Sequence, residues 1–237
     1  MNESRSSRAS DLIRLSQIEA LSWLSAAELG LLAGALTSTT FRPPQTIFRQ
    51  TARAADAHIL LRGIARITCR NGRRERVTVA MLAPGPIPDF PLMPLGRFDL
   101  RCEAYKDCRV GSLGWEAFED IAIHNADSAF QKFHENDLQQ WYRLLLRNSG
   151  FLNLDLHQRI ALTLLELSSA FGVKESRGTL LRESFSHQEI AELVGASRPR
   201  VTEHLAQFER EHLLIRQGRQ LIVCVDEIGA AQKLAYN

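Results

Sequence analysis

Residues 185–205 hold the side chains with the most definite chemistry in this 237-residue chain. Ser186 stands three places before Glu189, the spacing of a capping box, and Ile190, Leu193 and Val194 follow as the apolar side of a short helix. Gly195 and Ala196 offer a turn. Ser197 can cap a second helix, and Pro199 is tolerated in its first turn, where an N–H would have no partner. Val201, Leu205 and Phe208 form the buried stripe of that helix. Helix, glycine turn and capped helix make a helix-turn-helix. With Val201 inward, Pro199, Glu203 and Arg210 point outward, Arg200 and Thr202 flank them, and Arg198 projects from the N-terminus. Such outward N-terminal positions meet base edges in the major groove of duplex DNA. Arg198 could make a bidentate contact to guanine, while Glu203 could accept from a cytosine amine but also repels phosphate. Gln217, Gly218 and Arg219 then form a tight turn ahead of a strand at 220–225, a wing that carries Arg216 and Arg219.

Other elements must position this pair of helices. A helix over 156–171 precedes it, with Ile160, Leu164, Leu165 and Leu167 on one side and Gly172 as its stop. Residues 115–147 read as one long helix, because Phe130, His134, Leu138, Trp141 and Leu145 step at helical spacing. A stripe that leaves a β domain needs a partner, most simply its own copy in a homodimer. Residues 41–113 read as short strands. The run 58–63 is apolar and stopped by glycine. Residues 64–69 alternate, with Ile64, Arg66 and Thr68 on one face and Ala65, Ile67 and Cys69 on the other. Asn71 and Gly72 spell a two-residue type I′ turn into a return strand at 75–82, closed at 83–85, and a last strand covers 102–113. Helical residues 10–35, with a capping box from Ser25 to Glu28, precede the strands, and residues 1–10 are polar. The expected fold is α+β: an N-terminal double-stranded β-helix (jelly roll) over 1–114, a dimerisation helix over 115–152 and a winged helix-turn-helix over 153–237.

Composition narrows the function further. The net charge of +2 comes from 29 basic and 27 acidic groups, too balanced to announce a nucleic-acid partner by itself. From residue 154 onward there are 10 Lys or Arg against 11 Asp or Glu, so DNA binding needs a local patch drawn from Arg198, Arg200, Arg216 and Arg219. No apolar run is long enough to span a bilayer and no apolar signal core opens the chain, which leads us to expect a cytoplasmic protein with no membrane partner. Cys69, Cys102, Cys108 and Cys224 fit neither a zinc site nor an iron–sulfur cluster. On one extended strand Cys102 and Cys108 would lie roughly 20 Å apart, against the ~6 Å a disulfide needs. The arginines at 66, 70, 73, 74 and 76 read as a solvated hairpin edge. No nucleophile elbow, phosphate loop, dinucleotide fingerprint or zinc-protease motif occurs, so no enzyme is expected.

Residues 185–205 resemble the helix-turn-helix of the cyclic-AMP receptor protein/FNR (Crp/Fnr) family of bacterial regulators. The family pattern IA…GxSRxxVxxxL matches at Ile190, Ala191, Gly195, Ser197, Arg198, Val201 and Leu205. Residues 158–167 resemble its preceding helix, and residues 60–63 and 83–85 resemble turns of its β-roll. The resemblance implies a cyclic-nucleotide-binding-like sensor domain, a homodimer, transcription regulation through a near-palindromic operator, and RNA polymerase as a further partner. It also implies a DNA-contacting set of Ser197, Arg198, Pro199, Arg200, Thr202, Glu203, Arg216 and Arg219. Of the family's base-reading trio only Arg198 is kept. Pro199 stands where Glu is usual and Glu203 where Arg is usual, which implies an altered operator.

The family's nucleotide pocket resembles a phosphate cradle, with Gly-Glu after a Pro-Gly turn and an arginine about six residues before an alanine. Here no Gly-Glu follows Gly85, Asp89 is the nearest carboxylate, and Arg97 falls one place from the expected position before Ala104. A buried phosphate without a placed arginine is costly, so cyclic AMP is not the expected effector unless Arg97 or Arg101 supplies the charge. Asp89, Arg97 and Arg101 are the pocket candidates. Haem is likewise disfavoured, although His58, His124 and His134, with Cys69, Cys102 and Cys108, are available as ligands. An alternative stays open at this point: a small-molecule, haem or redox sensor whose helix-turn-helix is degenerate and meets protein rather than DNA.

Overall fold

A computed structural model describes residues 2–49, 56–70, 76–88, 100–123 and 153–224. The chain divides into two compact units, residues 1–145 and 146–237. Of the expected long helix, the described residues form α3, Trp115–Ile123. The rest of that expectation, with the stripe from Phe130 to Leu145 and with His124 and His134, lies outside the described residues, as do Asp89, Arg97, Asn71 and Gly72.

The first unit opens with α1 (Asn2–Ser16), a 3-10 turn (Glu19–Leu21) and α2 (Ala26–Ala35). Helix therefore begins well before residue 10, in a stretch whose polarity alone argued for no structure. The capping box at α2 is present: Ser25 Oγ accepts from the Glu28 N–H, and the Glu28 carboxylate accepts from the Ser25 N–H. Eight strands follow: β1 (Thr37–Phe41), β2 (Thr46–Arg49), β3 (Asp56–Arg62), β4 (Ala65–Arg70), β5 (Arg76–Leu82), β6 (Gly85–Pro86), β7 (Arg101–Ala104) and β8 (Cys108–Gly114). They form two four-stranded antiparallel sheets, β1-β8-β3-β6 and β2-β7-β4-β5, the double-sheet arrangement of a jelly roll. Leu60, Ala65, Cys102, Ala104, Cys108 and Val110 fill the space between the sheets. Ile59, Leu61, Leu113 and Phe118 join Leu15, Leu21 and Leu32 of the leading helices in a second cluster. Strand β3 is thus covered on both faces, which is why its sequence is a continuous apolar run and not an alternation.

Four local expectations need correction. Arg70 pairs with Arg76, whereas a two-residue type I′ turn at Asn71 and Gly72 would set Arg70 opposite Arg73. A register shift between Ile67 and Thr68 interrupts the alternation of β4, and both of those residues are buried. The run 102–113 is two strands on different sheets, turned at 105–107, where the N–H groups of Tyr105 and Lys106 both donate to the Ile64 carbonyl. Gly63, at φ +94°, lies so close to this turn that a Cβ would stand 2.1 Å from the Asp107 oxygen. Finally, Arg66 and Arg76 are not a free edge: both reach the buried Glu103, at 3.3 and 3.8 Å, and Arg76 also donates to Thr68 at 2.9 Å.

None of Cys69, Cys102, Cys108 and Cys224 forms a disulfide, and Cys108 donates its thiol to the Ile64 carbonyl at 3.0 Å. Burial pushes that thiol up to about 11. Helix α1 is tied to the sheets through the buried Asp11, which accepts from Arg109 at 2.6 and 2.8 Å and from the Ser38 hydroxyl at 2.7 Å. Burial opposes ionisation of Asp11, but these donors together hold its carboxyl below the usual range.

The second unit begins with α4 (Leu156–Phe171), capped reciprocally by Asp155 and Gln158. Ile160, Leu164 and Leu167 are buried on it, as their spacing predicts. Then come β9 (Gly172–Glu175), β10 (Gly178–Leu181), α5 (His187–Val194), α6 (Arg198–Arg210), β11 (Leu214–Gln217) and β12 (Gln220–Val223). The expected terminal strand pair is in fact half of a four-stranded sheet, β11-β12-β10-β9. The β9–β10 hairpin is too short to show a period. Gly172 does not end α4 in a left-handed cap. It is extended, and a Cβ there would lie 2.2 Å from the Ser168 oxygen and from Thr179 Cγ2. No helix among the described residues is long and apolar enough to cross a membrane.

Candidate nucleic-acid interface

Helix α5 starts at the Ser186–Glu189 capping box and ends at Gly195, whose φ of 64° and ψ of 44° are left-handed. The Ala196 N–H closes the turn on the Ala191 carbonyl at 3.0 Å. From α4, Arg159 Nη1 donates to the Val194 carbonyl at 2.9 Å, so the helix before the motif also fastens its turn. Ser197 occupies the N-cap of α6 with extended backbone, but its hydroxyl makes no capping bond, contrary to the role its type suggests. Val201 and Leu205 are fully buried, whereas Ser197, Arg198, Pro199, Arg200, Thr202 and Glu203 are all exposed. The structure therefore brings six of the sequence-derived residues to one solvent-facing end of α6.

The other two lie on the wing. Arg219 is exposed in the β11–β12 turn beside Gly218, which sits at φ +62°. Arg216 on β11 donates to Glu209 of α6 at 2.7 and 3.0 Å, and its Nη2 lies 3.2 Å from His187 Nε2. The other ring nitrogen of His187 is 2.8 Å from Thr202 Oγ1, and that hydroxyl donates to the Arg198 carbonyl at 3.0 Å. Burial, then Arg216 and Arg198, pull the His187 imidazole below the usual histidine range.

Three residues near this face carry no signal in the motif. Arg177, in the β9–β10 turn, donates to Gln217 beside the wing tip at 3.0 Å. The Ser176–Arg177–Gly178 sequence marks that turn, but only once the flanking strands are known. His157 of α4 and His204 of α6 approach to 3.3 Å between their Nδ1 atoms, and His157 stacks on Phe208 at 4.2 Å. Burial, then His157 and Arg200, lower His204. With Arg216 matched by Glu209, the outward charge of this end rests on Arg198, Arg200, Arg219 and Arg177 against Glu203.

Of the pocket candidates, Arg101 is half-buried at the start of β7, in register with Arg49 and Thr68. His58 is half-buried and stacks on Phe48 across the sheets at 4.8 Å. Cys102 and Cys108 are buried, and Cys69 half-buried. No group of three or more metal-ligating side chains occurs among the described residues.

Residues 158–228 match the family model described as the Crp-like helix-turn-helix domain. A CooA mutant from Carboxydothermus hydrogenoformans has the same fold, with a TM-score of 0.65 at 19% identity over 85% of this chain and 89% of that one. The second unit carries a Crp-like helix-turn-helix domain. Similar again in fold is the c-di-GMP-responsive global regulator CLP of Xanthomonas campestris, with a TM-score of 0.64 at 18% identity over 84% of this chain and 99% of its own. The chain is also 32% identical over 88 residues to the CRP-like cAMP-activated global transcriptional regulator of Mycobacterium tuberculosis. That match spans 36% of this chain and 39% of the curated relative.

Proposed function

We propose that this protein is a DNA-binding transcriptional regulator and not an enzyme. The observation that carries the reading is the end of α6, where five polar or charged positions and Pro199 are exposed over a stripe of fully buried Val201 and Leu205, inside the segment that matches the Crp-like domain. In this reading Arg198 contacts guanine and Glu203 a cytosine amine, Ser197, Pro199, Arg200 and Thr202 complete the major-groove contact, and Arg216 and Arg219 meet phosphates. The chain acts as a cytoplasmic homodimer joined along the helix of residues 115–152. Its two recognition helices sit about 34 Å apart and read a near-palindrome. An effector in the β-roll shifts the population between two dimer arrangements, and RNA polymerase reads the outcome. The effector is not cyclic AMP. The two relatives with named ligands answer to different nucleotides, so the fold leaves the ligand open, and Arg101 is the described member of the pocket set Asp89, Arg97 and Arg101.

Glu203 and the near-neutral second unit favour one competing reading, a helix-turn-helix that meets protein. Selection of duplexes from a random library with the full chain separates the two. The DNA reading expects an enriched near-palindrome whose affinity falls steeply with salt, as counterion release at several phosphates requires. No enrichment, or salt-independent binding, refutes it.

A further inference from the structure

The polar contacts behind the exposed end of α6 have a direction. A guanidinium only donates, so Arg216 beside His187 Nε2 makes that nitrogen an acceptor. The imidazole is then neutral and carries its proton on Nδ1, where it donates to Thr202 Oγ1. Thr202 spends its own proton on the Arg198 carbonyl. The result is a one-way chain from β11 through α5 to the first turn of α6, anchored at its far end by Glu209 on Arg216. It links the strand of the wing to the backbone of the residue that the DNA reading assigns to guanine.

Resting on that DNA reading, we propose that His187 is a positioning residue of the interface: as the neutral Nδ1–H tautomer it latches the wing to the recognition helix, and a proton on Nε2 releases the latch. Protonation sets donor against donor across the 3.2 Å to Arg216 and places two cations side by side. The charged groups facing the imidazole are Arg216 from β11, with Arg198 and Glu209 from α6. The two arginines oppose protonation and Glu209 favours it. Release costs sequence preference and not attraction to DNA, because a protonated His187 adds positive charge near the phosphates. Specificity, the ratio of affinities for the selected duplex and an unrelated one, is therefore the quantity that moves.

Two measurements on the full chain test this. Long-range proton–nitrogen NMR of the ¹⁵N-histidine protein, with His187 identified through His187→Gln, reads the tautomer directly. At pH 7.5 the expected state is Nε2 bare and Nδ1 protonated, and an Nε2–H tautomer overturns the proposal. The second measurement is the specificity ratio at pH 7.5 and at the lower pH where the same NMR spectra show both ring nitrogens of His187 protonated. In the wild type it falls about tenfold, the scale of one lost charge-assisted contact. In His187→Gln, which accepts from Arg216 through its amide oxygen but does not titrate, the ratio stays constant. In His187→Ala it is low at both values. A wild-type ratio that does not change, or a His187→Gln ratio that falls as the wild type's does, overturns the positioning role. The latter outcome assigns the pH effect to another group, such as His204. If no duplex is preferred at pH 7.5 while the tautomer is as stated, the DNA reading has failed and the interfacial role falls with it, although the contact itself is real.

Discussion

Replacing Arg159 by methionine tests how the turn between α5 and α6 is held. Arg159 Nη1 donates to the Val194 carbonyl at 2.9 Å, at the negative end of α5. Losing a hydrogen bond from a charged donor costs about 1.5–3 kcal/mol. Losing the cation from the helix C-terminus adds about 0.3–1 kcal/mol. Against this, Arg159 Nε is buried without a partner among the described residues, and its removal relieves about 1 kcal/mol of desolvation. Methionine keeps the volume of the stem, so the net loss is about 1–3 kcal/mol, a factor of roughly 5–150 in local opening. Tryptophan fluorescence is blind to it, because Trp23, Trp115 and Trp141 all precede residue 146. Hydrogen exchange read by mass spectrometry is the assay: peptides spanning α5 and α6 should exchange faster by that factor, while those from β1–β8 do not change. Protection in α5 and α6 within twofold of wild type would refute the reasoning.

Asp11→Asn should cost about 2–3 kcal/mol in urea unfolding of the first unit. That is below the value for a fully buried pair, because the Arg109 side chain keeps 24% of its exposure. Because the folded pKa of Asp11 is depressed, wild type has this stability above the unfolded value of 3.8 and loses it as pH falls through the folded value, while Asp11→Asn shows no such step. His204 is likewise depressed in the fold, so its contribution is full above the ordinary histidine value of 6.5 and fades as pH drops. Wild type should lose melting temperature between pH 7.5 and 5 more steeply than His204→Gln, and equal slopes would remove the His157–His204 contact from the account. Cyclic AMP should leave the melting temperature unchanged, and a concentration-dependent rise would reinstate it as effector.

How much of this was legible depended on whether a residue's surroundings are local. The motif helices were readable because caps, turn glycine and stripe all lie within one 20-residue stretch, and Ser186, Gly195, Val201 and Leu205 take the roles their spacing dictates. Ser197 shows the limit: its type fits an N-cap, but type does not place the hydroxyl. In the β-roll the pairing of distant strands decides. Nothing near Ile67 announces the register shift, and nothing near Glu103 says that Arg66 and Arg76 close over it. The Asn71–Gly72 signal named the β4–β5 pairing correctly and its register wrongly, because the Arg70–Arg76 pairing is fixed by the whole ladder. The latch through His187 needs three elements in contact, and none of its residues is unusual at its own position.

The central claim is that the outward end of α6 reads bases. The most direct measurement compares Arg198→Ala with wild type on the selected duplex and on an unrelated one, at one salt concentration. The account predicts a loss of about 1–3 kcal/mol on the selected duplex, little change on the other, and a relaxed preference at one base pair per half-site. An Arg198→Ala protein that binds the selected duplex as tightly and as selectively as wild type would contradict it.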